Sequence, residues 1–199
     1  MIAEVKEQFK VAYAGLQAGS GEAARHAASL VQVWAARIHT RTSDGELRAL
    51  AARGVRRHGR AALLDTPPNH AEMETNLRAL GLAASDISRL ELHAPVDAQA
   101  KAAALDRLLA GGIQPMVDRA VEVMTAAAGQ LDARAGLTPV AARQAGCDAC
   151  IAADMAKAEM EISCAFAAIF PVMAEICALF AGIYLMAQSI CWICRMIWG

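Results

Sequence analysis

The stretch GCDACIAADMAKAEMEISCAFAAIFPVMAEICALFAGIYLMAQSICWICRMIWG, residues 146–199, holds all six cysteines of the chain and two of its three tryptophans. The cysteine positions are palindromic. Cys147 and Cys194, Cys150 and Cys191, and Cys164 and Cys177 are each equidistant from a midpoint between Phe170 and Pro171. A chain folded back at that midpoint as two antiparallel helices brings every cysteine level with another. Cys150 and Cys164 are separated by nearly four turns at about 3.6 residues per turn, and so are Cys177 and Cys191, so the inner sulfurs fall on two nearly straight stripes. Packed helices normally keep their axes about 8–10 Å apart, whereas a disulfide needs Cα atoms about 4.4–6.8 Å apart. Small neighbours, among them Ala149, Ala153, Ala165, Ala174, Ala178, Ala181 and Ala187, permit the closer approach. The spacing predicts a helical hairpin over about 146–198 stapled by Cys147–Cys194, Cys150–Cys191 and Cys164–Cys177. No cofactor is needed for that arrangement. An alternative chemistry from the same hairpin is a four-thiolate zinc site of Cys147, Cys150, Cys191 and Cys194, and free or redox-active thiols are a third.

The two halves of the hairpin differ. Asp154, Lys157 and Glu161 lie close to the cysteine stripe of the first half, at spacings that form i,i+3 and i,i+4 ion pairs. Tyr184 and Gln188, among the few polar residues of the second half, fall opposite them, so a polar seam is expected. The rest of the second half is apolar on all sides, and nineteen residues between Glu175 and Arg195 carry no charge. That is near the length that crosses a bilayer, and Trp192 and Trp198 flank Arg195 as interfacial aromatics do. Ile176, Leu179, Phe180, Ile183, Met186, Ile190, Trp192, Ile193 and Trp198 are therefore the expected membrane-contact residues. A helix apolar on all sides also suits the centre of a water-soluble bundle.

Outward from this stretch, the chain changes character. Residues 146–199 hold 2 basic and 5 acidic residues, leaving 17 and 15 for residues 1–145, and the whole sums to −1. This balance argues against nucleic acid as the partner. The hydrophobic fraction of 56% with only 5% aromatics is rich in alanine, a strong helix former, and all-α is the expected class. Helical periodicity marks segments over about 4–17, 22–38, 44–64, 69–82, 96–109 and 115–131, separated by Gly19-Ser20-Gly21, Pro67-Pro68 and Gly111-Gly112. Ser43 followed by Glu46 predicts a capping box. The third segment carries Arg48, Arg53, Arg56, Arg57, His58 and Arg60; the stretch Arg53–Arg60 is a candidate surface for an acidic protein partner, phosphate or anionic lipid, and equally a solvated face. Gly136-Leu137-Thr138-Pro139 reads as the linker, dividing an amphipathic helical region at 1–137 from a hydrophobic cysteine-rich hairpin at 138–199.

No phosphate-binding glycine loop, nucleophile elbow or paired metal-ligand spacing occurs, and the five histidines are isolated. A non-enzymatic role is expected. The charged opening, Met1-Ile-Ala-Glu-Val-Lys-Glu-Gln-Phe-Lys, has no apolar core, so membrane association or export by a non-Sec route is expected rather than signal-peptide secretion. Gly146-Cys147-Asp148-Ala149-Cys150 is similar to the Gly-Cys-x-x-Cys opening of halocin-like peptides. A polar amino-terminal region followed by a hydrophobic, cysteine-rich peptide resembles the precursors of such bacteriocins. The resemblance covers the last quarter of the chain. It implies an antimicrobial, membrane-active toxin peptide released near Gly146, with the amino-terminal region as a chaperoning or immunity segment. The other readings are a membrane-associated or tail-anchored helical protein without toxicity, and a thiol- or zinc-binding module.

Overall fold

The computed structural model describes residues 2–67, 69–79, 83–89, 94–133 and 148–198. Every regular element among them is an α-helix: α1 (Ile2–Gln17), α2 (Gly21–His39), α3 (Asp44–His58), α4 (Arg60–Asp65), α5 (His70–Ala79), α6 (Ala84–Arg89), α7 (Ala98–Gly111), α8 (Gln114–Ala133), α9 (Asp148–Ala167) and α10 (Val172–Trp198). The all-α class is as the alanine-rich composition predicts, and the carboxy-terminal antiparallel hairpin, α9 on α10, is as the cysteine spacing predicts.

Short polar side chains start the helices by satisfying N–H groups that have no partner within the helix. Ser20 Oγ accepts from Ala23 N at 3.2 Å, and Asp97 accepts from Ala100 N at 3.0 Å. At α3 the capping box forms in full: Glu46 N donates to Ser43 Oγ, and Ser43 N donates to Glu46 Oε2 at 2.7 Å. The Ser43 N–H and hydroxyl hold the Glu46 carboxyl below its ordinary range.

The third predicted helix is two. It breaks at Gly59, whose φ of +83° suits a residue without a Cβ, and resumes as α4. Gly54, within α3, has a different cause. It is buried, and a methyl group there would overlap the ring of Phe166 from α9. The helix predicted over 69–82 runs from His70 to Ala79, with Asn69 Oδ1 accepting from Glu72 N at 3.2 Å. Residues 80–82 lie outside the described residues, as do the linker at 136–139 and the division at 137/138.

The hairpin is the centre of the molecule. α1, α2, α5 and α8 pack on α10, and α7 and α8 pack on α9, while α3 lies across α7. The aromatic ends of Phe9 and Trp34 reach the α10 backbone at Gly182. Core residues from residues 1–133 and from the hairpin form a single cluster, so the two stretches do not have separate interiors. Each fully buried Leu, Ile, Met or Phe contributes on the order of 1.5–3 kcal/mol. α10 supplies many of these, including Met173, Ile176, Leu179, Phe180 and Met186, all at most 2% exposed.

Candidate functional site: the stapled hairpin and its charged seam

Alanine lets the two hairpin helices come closer than branched side chains would. Ala149, Ala152, Ala153, Ala156 and Ala158 on α9, and Ala181 and Ala187 on α10, are all buried. At this separation Cys150 and Cys191 are bonded with Cα atoms 4.6 Å apart, and Cys164 and Cys177 with Cα atoms 4.9 Å apart. These are two of the three pairs in the palindrome. The third pair, Cys147–Cys194, includes Cys147, which lies outside the described residues. No cysteine among the described residues is free. In this geometry the Cys150–Cys191 bond engages two of the four thiolates that the alternative zinc site would need.

The fold-back lies where the midpoint places it. Ile169 N and Phe170 N both donate to Phe166 O as α9 ends, and Ala174 N donates to Pro171 O as α10 begins. Pro171 sits just before α10, where its missing N–H costs no helical hydrogen bond.

The membrane-contact residues are placed differently from the expectation. Ile176, Leu179, Phe180, Ile183, Met186, Ile190 and Ile193 are all at most 4% exposed, on a helix packed against α9 and against α1, α2, α5 and α8. Trp192 is exposed, and the side chain of Trp198 lies outside those described. Val172–Met196 is long and apolar enough to cross a membrane by length and composition, yet most of it is buried inside the protein. Apolarity on all sides is here met by protein on all sides.

The polar seam exists, but its partners come from outside the hairpin. Lys157, only 7% exposed, donates from Nζ to Ala94 O at 2.8 Å and stands 5.9 Å above the ring of Tyr184. Lys157 and Tyr184 were expected to meet, and they do. Glu161 pairs with Lys101 Nζ of α7 at 2.8 Å. Asp154 is exposed and Gln188 half-buried. Glu159, absent from the predicted seam, belongs to it: its Oε1 accepts from Arg107 Nε of α7 at 2.7 Å. Burial raises the Glu159 carboxyl to about 7, the neighbouring Arg107 opposing the shift. Thus α7 holds α9 through two ion pairs whose carboxylates are nearly withdrawn from solvent. A signal for this was present in α7, where Lys101 and Arg107 stand among alanines and leucines, but nothing local says which carboxylates they meet.

The arginines of the third predicted helix separate into roles. Arg60 grips Asp106 of α7 with both terminal nitrogens, at 2.6 and 2.8 Å, which holds the Asp106 carboxyl below its ordinary range. Arg48 donates to Ala110 O at 3.2 Å. The Arg53 guanidinium lies 5.8 Å from the Phe170 ring centroid, at the hairpin fold-back. Arg56, Arg57 and His58 are exposed. Arg41, from the turn after α2, binds both carboxylate oxygens of Glu175 at the same end.

No protein-family model, curated protein or solved structure matches the chain.

Proposed function

We propose that the chain is a non-enzymatic, bacteriocin-like precursor. In this reading α1–α8 keep a stapled hydrophobic hairpin in water-soluble form, and the hairpin acts on membranes once it is released. The observation that carries the reading is the burial of α10. The helix is long and apolar enough to span a bilayer, and the side chains a bilayer would receive are buried in the folded chain, where α1, α2, α5 and α8 pack on α10 beside α9. The staples Cys150–Cys191 and Cys164–Cys177 both lie within the hairpin. A cut between residues 134 and 147 would leave them intact, and the released peptide would keep its fold-back.

The test uses oxidised 146–199 peptide and the full chain side by side. The peptide is expected to release dye trapped in lipid vesicles and to arrest bacterial growth at concentrations where the full chain does neither. A peptide that leaves vesicles sealed and cells growing sinks the reading.

One observation favours a second reading, a membrane-associated helical protein without toxicity. Glu159 and Glu161 have ion-pair partners on α7, so a hairpin parted from α7 gives up the counter-charges of Arg107 and Lys101. Under this reading the full chain stays in the membrane fraction after a carbonate wash, and the peptide is inactive.

A further inference from the structure

We propose that the closed end of the hairpin, with the arginines of α3 beside it, is a surface on which the intact folded chain docks to an anionic lipid bilayer. The proposal does not depend on release of the hairpin, since every residue it uses is displayed by the folded chain.

The fold brings together two features far apart in sequence. One is the fold-back itself: Ala168 and Pro171 are exposed, and Ile169, Phe170 and Val172 are half-buried, a cluster of apolar side chains partly open to solvent. The other is the second half of α3. Gly54 abuts Phe166 and Arg53 covers Phe170, so this face of α3 borders the turn. Arg57 follows Arg53 by one helical turn on the same face, with Arg56 beside it. All three are exposed, and no ion pair among the described residues engages any of them. The nearby carboxylate, Glu175, is already held by Arg41. An apolar tip beside uncompensated arginines complements a surface that offers hydrocarbon at depth and phosphate at its boundary. A guanidinium resting over an aromatic ring suits that boundary as well.

The other exposed apolar residues of the hairpin, Ile151, Trp192 and Met196, lie at its opposite end. There, among the described residues of the hairpin itself, Ile151 is flanked by exposed Asp148 and Asp154, with Arg195 the basic residue. That charge balance disfavours anionic lipid, so charge complementarity selects the fold-back end.

The test is flotation of the intact, oxidised chain with vesicles of phosphatidylcholine containing phosphatidylglycerol, and with vesicles of phosphatidylcholine alone. The wild-type chain is expected to float with the anionic vesicles only, and to be released as salt screens the contact. Each arginine near an anionic surface strengthens partitioning roughly fivefold. The R56Q/R57Q variant should therefore lose roughly 25-fold, and Ile169→Ser should weaken binding while leaving its salt dependence in place. Arg56 and Arg57 are exposed and Ile169 is half-buried, and circular dichroism checks that each variant is folded. Equal binding to both vesicle types overturns the proposal, as does undiminished binding by folded R56Q/R57Q. Binding abolished by Trp192→Ser instead, or binding of polyuridylate without vesicle binding, also overturns it. Vesicle leakage by the 146–199 peptide is read separately, so either result can fail without the other.

Discussion

Glu159 is where a single side chain reports on the packing of the whole bundle. Its carboxyl ionises at about 7 in the folded chain, against an ordinary value of 4.5, because burial among α7 and α9 side chains opposes its charge more than Arg107 supports it. The folded state therefore binds the Glu159 proton more tightly than the unfolded state. The stabilisation that results is complete below pH 4.5 and is lost as pH rises through about 7. At roughly 1.4 kcal/mol per unit, as much as about 3.5 kcal/mol is at stake. Urea unfolding of wild type and Glu159→Gln at pH 5 and pH 7.5 checks this. The wild type is expected to lose stability over that interval relative to the variant, whose amide does not titrate. Parallel pH profiles for the two proteins would mean that Glu159 is charged throughout.

At the scale of elements, the two staples close loops of different length. Cys150 and Cys191 are 41 residues apart and Cys164 and Cys177 are 13 apart. Loop-closure entropy then assigns about 4 kcal/mol to the outer bond and about 3 kcal/mol to the inner. Paired serine substitution, C150S/C191S against C164S/C177S, should lower the urea midpoint further for the outer pair; the reverse order would mean that native-state packing, not chain entropy, sets their contributions. These elements also show what the sequence made legible. The hairpin could be read because its signal is internal: cysteine spacing, a central Phe170-Pro171 and small residues all fall within one stretch. The end of α3 could not be placed, because Gly59 and Gly54 look alike in sequence while one turns the chain and the other makes room for Phe166. The seam was half legible. Lys157 and Tyr184 are mirror positions and meet, but Glu159 finds its partner 52 residues away on α7. Side-chain periodicity records that α10 is apolar on every face and does not record whether lipid or protein surrounds it.

For the whole molecule, the decisive quantity is how firmly α1–α8 hold the hairpin once the chain between them is cut. Nothing covalent would then join the two parts among the described residues, since both observed staples lie within α9 and α10. Two things remain. One is the shared core, in which Phe9, Leu30, Val31, Leu105, Met124 and the inner faces of α9 and α10 form one cluster. The other is the pair of contacts from Lys101 and Arg107 to nearly buried carboxylates, where removing one partner of such a pair costs on the order of 3–5 kcal/mol. A protease site introduced between residues 137 and 138 separates covalent from non-covalent attachment. After cleavage the two fragments are expected to co-elute on gel filtration in dilute buffer, and to continue doing so after mild reduction, because no reducible bond holds them together. Charge reversal at both α7 positions, Lys101→Glu with Arg107→Glu, should part them by placing like charges against Glu161 and Glu159. Fragments that separate in buffer without any substitution would mean that the shared core is too weak to retain the hairpin, and that cleavage alone sets it free. Co-elution of the wild-type fragments, by contrast, makes α7 the element that a releasing surface must displace, since it carries the counter-charges that the hairpin gives up on leaving.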